Sequence, residues 1–250
     1  MTGARVLNFE ADDTGEPLGY GGTFLSGELE RAYRQSRLEE DLPSVSVIFA
    51  VTMIGVLSFI INDYRLFGIA MPFPLILGFR LGICALSVGV WMKLRSAVHT
   101  LQPQRFDRAL LSWSVILAAA LVYVSFTRPA NSTGHFLVHL FTILLTYCVV
   151  PLPLFRQAIP ALLISIGMTV CLALKPPADG ITSTALLWTV IAANVLGASI
   201  SRQLHRSGRM QFLALTREKK MRMGLETALA ELKTLRGIIP ICSHCKNIRD

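Results

Sequence analysis

Residues 43–61 read PSVSVIFAVTMIGVLSFII, an apolar run without a charged side chain. As an α-helix this run extends over roughly 28 Å, close to the thickness of the hydrocarbon core of a bilayer. Residues 1–42 precede it and contain no secretory signal peptide. The run is therefore predicted to be a retained transmembrane span.

Five further apolar blocks follow. The six predicted spans are 43–61, 72–92, 109–127, 136–155, 158–174 and 184–204. Hydrophobic residues make up 52% of the 250 residues and charged residues only 16%, and the mean hydropathy is +0.53. This composition argues against a soluble domain and indicates a polytopic membrane protein.

The formal net charge of +8 is concentrated on one side of the predicted membrane. The connection after the second span (KLRSAVHTLQPQRFDR, 93–108) and the segment after the sixth (SRQLHRSGR, 201–209) are basic. The first, third and fifth connections carry about one cation each, namely Arg65, Arg128 and Lys175. The positive-inside rule then predicts a multi-pass membrane protein with both termini in the cytoplasm. No basic stripe interleaved with aromatic residues supports nucleic-acid binding, so the lipid bilayer is the partner that the charge predicts.

The chain before the first span divides into two parts. Residues 1–25 are rich in Gly, Asp and Thr and are predicted to be disordered. Ser26 is a candidate N-cap for a cytoplasmic amphipathic helix over 26–42. Pro43 marks the junction of this helix with the membrane, because a proline disfavours helical geometry in the residue before it.

Ionisable side chains inside membrane spans are costly and are functional candidates. Arg80 lies well within the second span, and Asp63, just past the end of the first, is its predicted partner. The functional interpretation is a ligand or counter-ion site in the outer half of the bundle. The alternatives are a structural ion pair, or an arginine that reaches the lipid headgroups.

The fourth span contributes three more ligand-sensing candidates. His135 and His139 have the i, i+4 spacing that presents two imidazoles to one metal or haem, although no third ligand is evident nearby. Tyr147 lies deeper in the same span.

Prolines near the end of the fourth span predict a local irregularity. Pro151 and Pro153 are expected to kink the span, a distortion that neighbouring helices must cover. Little more than Arg156 and Gln157 joins the fourth and fifth spans, which are therefore predicted to form a tight antiparallel pair.

After the sixth span the helix is predicted to continue over 205–236. Its apolar residues recur at the four-three spacing of a coiled coil, at Met221, Leu225, Ala228, Leu232 and Leu235. A coiled coil needs a partner strand, so this spacing predicts a homodimer, which the bundle helps to hold because two heptads are short. An amphipathic helix without a partner is the alternative. The predicted fold class is therefore all-α: a six-helix transmembrane bundle (43–204) with a cytoplasmic coiled-coil stalk.

Residues 237–250 contain one Cys-x-x-Cys pair, Cys242 and Cys245. A structural zinc site needs four ligands, so the pair supplies half of one, and zinc is expected only if a second cysteine pair is supplied. A redox switch is one alternative, and the absence of an independent role is the other.

The layout resembles a family of bacterial six-helix membrane sensor domains that precede class III nucleotide cyclases, diguanylate cyclases, kinases and related outputs. The resemblance covers roughly residues 27–236. It is carried by LERAYRQSRLEEDL (29–42), INDYR (61–65), LGFRLGI (77–83), YCVVPLPLFRQAIPALL (147–163) and SRQLHRSGRMQFLALTREK (201–219). The resemblance implies a multi-pass protein of a bacterial inner membrane. In that family the bundle is typically a dimer that passes a signal down a cytoplasmic helix. No cyclase, kinase or GGDEF-type motif occurs in this sequence, so enzymatic activity is not implied.

The last residues, LRGIIPICSHCKNIRD (235–250), look like a motif that follows sensor domains in many bacterial signalling proteins. There the motif continues to a second Cys-x-x-Cys, which would imply a four-cysteine zinc-type module. This sequence ends before a second pair, which leaves the site incomplete. A downstream signalling domain or protein is the partner that the resemblance implies.

The predicted function is a membrane-embedded sensor that relays an input from the bundle through a dimeric cytoplasmic helix, and not an enzyme. A small transporter or channel is the rival, although no Asp or Glu lies deep in a predicted span. An intramembrane enzyme ranks last, because the sequence has no carboxylate pair, Ser–His arrangement or His-Glu-x-x-His motif suited to it.

Overall fold

The computed structural model describes residues 18–128, 134–176 and 180–238. The helices are α1 (Gly27–Phe67), α2 (Phe73–His99), α3 (Pro103–Thr127), α4 (Gly134–Cys148), α5 (Leu154–Leu174) and α6 (Gly180–Ile238). The described ranges contain no strand beyond one isolated bridge between Leu18 and Phe24. Five helices are long and apolar enough to cross a membrane, whereas α4 has only 15 residues. The structure thus confirms an all-α fold with helices of the membrane-crossing type, and the count of six spans stays a prediction.

The chain divides into two compact units after Arg206. In the first unit, α1 packs on α2, α2 on α3, and both α3 and α4 on α5. The rings of Phe49 and Trp113 meet inside one core cluster with 4.3 Å between their centroids. Apolar side chains such as Ile54 and Trp188 also point outward, as expected for helices that contact lipid. In the second unit, the described residues are the last part of α6.

Helix α1 runs through the predicted junction with the membrane. Pro43 lies inside the helix and does not end it. A proline within a helix removes one hydrogen bond and clashes with the preceding turn, which costs about 3 kcal/mol. Packing on both sides offsets this cost, because Leu38 and Val45 are fully buried in one core cluster. The N-terminal amphipathic helix and the first apolar run are therefore one continuous element.

The predicted disorder of the N-terminal segment is wrong in its last part, because residues 18–25 form an ordered turn. Phe24 is buried, and its ring meets the edge of Tyr33 with 6.1 Å between centroids. One buried aromatic residue thus holds a segment whose composition is typical of disorder. Residues 1–17 lie outside the described ranges.

The same turn packs closely against α6. The guanidinium of Arg202 lies 4.4 Å from the centroid of the Tyr20 ring. Gly22 has a φ of 73°, and a Cβ there would lie 3.2 Å from the carbonyl oxygen of Arg202. Glycine is suited to this position because it combines a positive φ with a close backbone approach.

The connection between α4 and α5 contains Pro151 and Pro153, so the predicted kink within a longer fourth span is wrong. The chain leaves the helix before the prolines, which cannot donate the hydrogen bonds that would continue it. Arg156 and Gln157 form part of the first turn of α5 and are not the connection.

Four charged residues, the Arg34 cluster, tie this connection to two helices. Arg34 Nη1 donates to Asp41 Oδ2 at 3.2 Å, and Arg34 Nη2 donates to Asp107 and to the carbonyl of Pro151. Arg156 Nη1 donates to the second oxygen of Asp107 at 2.8 Å. Burial lowers the pKa of Arg34, but the charges of Asp107 and Asp41 raise it by more, so the guanidinium stays charged. The cluster joins α1, α3 and the start of α5.

Gly22→Ala is expected to loosen the N-terminal turn by about 1–2 kcal/mol, because an L-residue is disfavoured at positive φ. Hydrogen exchange of residues 18–25 measures the effect. Gly27→Ala is the control, since a Cβ there meets nothing within 4 Å. Equal protection of the turn in both variants would contradict the packing described.

Asp41 provides a test by pH. Burial raises its pKa, although Arg34 and Arg37 lower it. Such a carboxyl contributes stability that is complete below its unfolded pKa, near 3.8, and is lost as the pH rises through the raised folded value. We therefore expect Asp41→Asn to become more stable relative to the unsubstituted protein as the pH rises above about 4. Detergent-unfolding titrations measure this difference, and a difference independent of pH would disprove the assignment.

Candidate functional site

At the other end of the bundle, Asp63 is buried between two arginines, and the three residues form the Asp63 cluster. Arg80 Nε donates to Asp63 Oδ2 at 2.6 Å, and Arg128 Nη2 donates to Asp63 Oδ1. Arg80 Nη1 also donates to the carbonyl of Val56 at 3.1 Å. The predicted pairing of Asp63 with Arg80 is therefore confirmed. Arg128, which the sequence suggested only as a cation of a connection, is a third member.

The cluster carries an excess of positive charge, since two guanidiniums share one carboxylate. Asp63 is 2% exposed and Arg128 is 4% exposed. Arg128 Nη1 has no hydrogen-bond acceptor among the described residues, and the guanidinium lies 5.8 Å from the centroid of the Phe67 ring. A buried guanidinium needs counter-charge and hydrogen-bond acceptors to offset its desolvation. The site therefore favours one further anion.

His139 is held beside this cluster by two hydrogen bonds. Its Nδ1 lies 2.6 Å from the carbonyl oxygen of His135, and its Nε2 lies 2.9 Å from Ser125 Oγ. A carbonyl only accepts, so Nδ1 carries a proton. The Ser125 hydroxyl has a single proton, for which Nε2 of His139 and the carbonyl oxygen of Leu121, 3.0 Å from Ser125 Oγ, compete. Both ring nitrogens are thus used within the protein. The described residues contain no group of three His, Cys, Asp or Glu suited to a metal.

Two adjoining cavities lie next to the cluster. The polar cavity has a volume of about 360 Å³. Its polar lining includes Asn62, Arg80, Ser125, Arg128, His135 and His139. The apolar groove has a volume of about 550 Å³ and lies between α1 and α4, with α3 forming most of its floor. The two share the lining residues Val56, Phe59, Arg80, Leu117, Leu121 and Val138.

Tyr147 does not belong to this site. Its ring packs on Gly197 of α6, where an added Cβ would lie 2.5 Å from the ring. Its hydroxyl donates to Asn194 Oδ1 at 3.4 Å, and Asn194 Nδ2 donates to Ser165 Oγ at 2.8 Å. Tyr147 thus helps to hold α6 on α4 and α5. Its ligand-sensing role stays a prediction.

The remaining predicted site residues lie near the C-terminus. Cys242 and Cys245 are outside the described residues, as is the side chain of Leu235. Met221, Leu225, Ala228 and Leu232 lie on α6 with exposed side chains.

Asp63→Asn is expected to destabilise the bundle by about 3–5 kcal/mol, because it leaves two buried arginines without their counter-charge. Unfolding of the intact chain in mixed micelles by increasing sodium dodecyl sulfate measures the loss. Glu40→Gln is the matched control, since it removes a carboxylate from the exposed Arg37–Glu40 pair and should change stability by less than about 1 kcal/mol. Similar losses in both variants would contradict a central role for Asp63.

Comparisons with protein-family models, curated proteins and solved structures find no match to this chain. The resemblance to six-helix sensor domains and to the cysteine motif therefore stays a prediction.

Proposed function

We propose that this chain is a membrane-embedded sensor that relays the state of its helix bundle through α6 to a cytoplasmic output. The observation that carries the proposal is α6 itself. This helix of 59 residues begins among the bundle helices and continues without interruption through the predicted stalk. A continuous helix transmits a rotation, a displacement along its axis or a change of register.

Contacts in the bundle support the predicted topology. The Arg34 cluster gathers the N-terminal part of α1, the start of α3 and the α4–α5 connection at one end. Ser201 of α6 donates to Gln157 at 2.5 Å at the same end. The basic connection 93–108 contains the start of α3, and basic residues such as Arg202 follow Ser201, so the positive-inside rule predicts that this end faces the cytoplasm. The resemblance to bacterial sensor domains suggests that the membrane is a bacterial inner membrane. In this topology α4, extended by residues 149–153, makes the shortest of six crossings.

Helix α1 offers a route from the Asp63 cluster to α6. One continuous helix joins Asp63 to the N-terminal turn, and that turn packs on α6 through Tyr20 and Gly22. A shift of α1 against α2 and α3 at the Asp63 cluster therefore reaches α6 near Arg202. The bundle then has two states, and an input acts by favouring one of them.

The stalk supports a dimer. Met221, Leu225 and Leu232 are 69%, 62% and 56% exposed in the single chain. Their four-three spacing suits a coiled-coil seam with a second copy. The Arg222–Glu226 pair, at 3.0 Å, reinforces the helix beside this seam.

Cross-linking of the stalk tests the relay. Leu225→Cys, on the seam, is expected to give a dimer across the two stalks, and Glu226→Cys, beside the seam, a several-fold lower yield. Adding Arg128→Gln, which disturbs the Asp63 cluster, should change the Leu225→Cys yield at least about twofold if the bundle has two states. Gly82→Leu is the control, because a Cβ at this exposed residue of α2 meets nothing within 4 Å. The unsubstituted chain gives the background from native cysteines.

A transporter or channel predicts a different outcome. If Arg128→Gln leaves the cross-linking yield unchanged, while reconstituted vesicles release trapped potassium or chloride through the protein, the relay is disproved. Flux without a change in the stalk would then assign the stalk to simple oligomerisation.

A further inference from the structure

The polar cavity and the apolar groove adjoin each other, and Arg80 lines both. Arg80 and Arg128 of the Asp63 cluster line the polar cavity, whereas Val, Leu, Ile and Phe side chains dominate the groove. A single molecule that fills both must therefore be polar at one end and apolar along the rest of its length. That is the chemistry of an amphiphile.

The charge of the polar cavity selects the sign of the polar end. Arg80 and Arg128 share the single carboxylate of Asp63, which leaves one net positive charge in the cluster. Arg128 Nη1, on a side chain that is 4% exposed, still lacks an acceptor among the described residues. A carboxylate or phosphate oxygen would satisfy this donor, because arginine binds such groups through charge-assisted hydrogen bonds.

The dimensions of the groove select the apolar part. Along α1 it is lined from Val47 to Phe59, which corresponds to roughly 18 Å of helix. An extended chain advances roughly 1.2 Å per bond, so the groove matches about 12 to 15 bonds. Helix α3 forms most of its floor, and Pro160 and Ile164 of α5 also line it. Neighbouring helices pack about 8–10 Å apart. The groove therefore suits one acyl chain better than the two chains of a phospholipid.

We propose that this joined site binds a single-chain anionic amphiphile, namely a fatty acid of about 12 to 15 carbons. Its carboxylate lies at Arg80 and Arg128, and its chain lies in the groove between α1 and α4. The proposal deepens the proposed function, on which it rests for its consequence, because occupancy of the groove sets the position of α1 and hence of α6. Two-chain anionic lipids and a second copy of this chain are the competing occupants.

Photolabelling of the intact chain tests the binding. The protein is placed in nanodiscs of phosphatidylcholine and exposed to tetradecanoic acid that carries a diazirine near the end of its chain. Labelled peptides should come from the groove-lining parts of α1 and α4. Unlabelled tetradecanoate should suppress the labelling, whereas tetradecyltrimethylammonium, with the same chain and a cationic head, and octanoate, with a shorter chain, should suppress it at least about tenfold less effectively. Phosphatidylglycerol should also compete poorly, and strong competition by this lipid alone would overturn the proposal in favour of a two-chain lipid.

Variants separate the two halves of the site. Arg128→Gln should weaken tetradecanoate binding about tenfold or more, and Arg128→Lys should keep part of the affinity because it keeps the charge. Gly55→Leu places a side chain into the open groove, where an added Cβ meets nothing within 4 Å, and should reduce labelling at least about tenfold. Gly82→Leu makes the same change outside the groove and should label like the unsubstituted protein. Because Gly55→Leu leaves the ionic cluster intact, its result stands even if Arg128→Gln does not fold.

The outcomes distinguish this inference from the proposed function. Labelling outside the groove, or labelling that neither Gly55→Leu nor Arg128→Gln reduces, overturns the fatty-acid site while leaving the stalk experiment to test the sensor. Specific labelling without any change in Leu225→Cys cross-linking supports the site and disproves the relay. Cross-links between copies through the groove, abolished by Gly55→Leu, would assign the groove to a second copy and overturn the proposal.

Discussion

The position of Asp63 between Arg80 and Arg128 is the constraint on which this end of the bundle depends. A single carboxylate offsets two guanidiniums inside a poorly solvated environment, so neither arginine can leave without a large desolvation or pairing cost. Because Asp63 lies in α1, Arg80 lies in α2 and Arg128 is the C-cap of α3, this interaction favours one relative register of the three helices. The polar cavity lies beside this cluster, and His139 lines the cavity together with Arg80 and Arg128.

Helix α1 links this end of the bundle to the other. It contains Asp63 near its C-terminus and both Arg34 and Asp41 near its N-terminus, within a single helix of 41 residues, or roughly 60 Å. The core contacts of Leu38 and Val45 keep it continuous at Pro43. Buried ion pairs attach this helix to Asp107 of α3 at one end and to Arg128, the C-cap of α3, at the other. This continuity makes α1 a better candidate for transmission than a helix broken at the membrane surface.

Sequence predicted the features that depend on local pattern. The apolar runs predicted the helices, and the isolated charges of Asp63 and Arg80 predicted that these two residues pair. The contribution of Arg128 could not be derived, because a cation at the end of a span looks the same whether it faces solvent or turns into the bundle. The ordered turn at Phe24 and the continuity of α1 at Pro43 were not predicted for a related reason. In both places tertiary burial outweighs the local conformational propensity of the sequence. The fourth span predicted from hydrophobicity was too long at its C-terminal end, because α4 ends before Pro151 and Pro153.

Stability and sensing make opposite demands on a buried cluster, and the Asp63 cluster meets both through its surplus charge. A cluster without net charge would hold three helices together but would attract an anion only weakly. With one positive charge left over, an anion gains from the state in which both arginines converge on the polar cavity and loses when they separate. Only this difference in affinity shifts the equilibrium, and a tenfold difference is worth about 1.4 kcal/mol. A single additional hydrogen bond from a charged donor such as Arg128 is of that size, about 1.5–3 kcal/mol. The geometry of one guanidinium is thus sufficient to couple occupancy of the cavity to the position of α1.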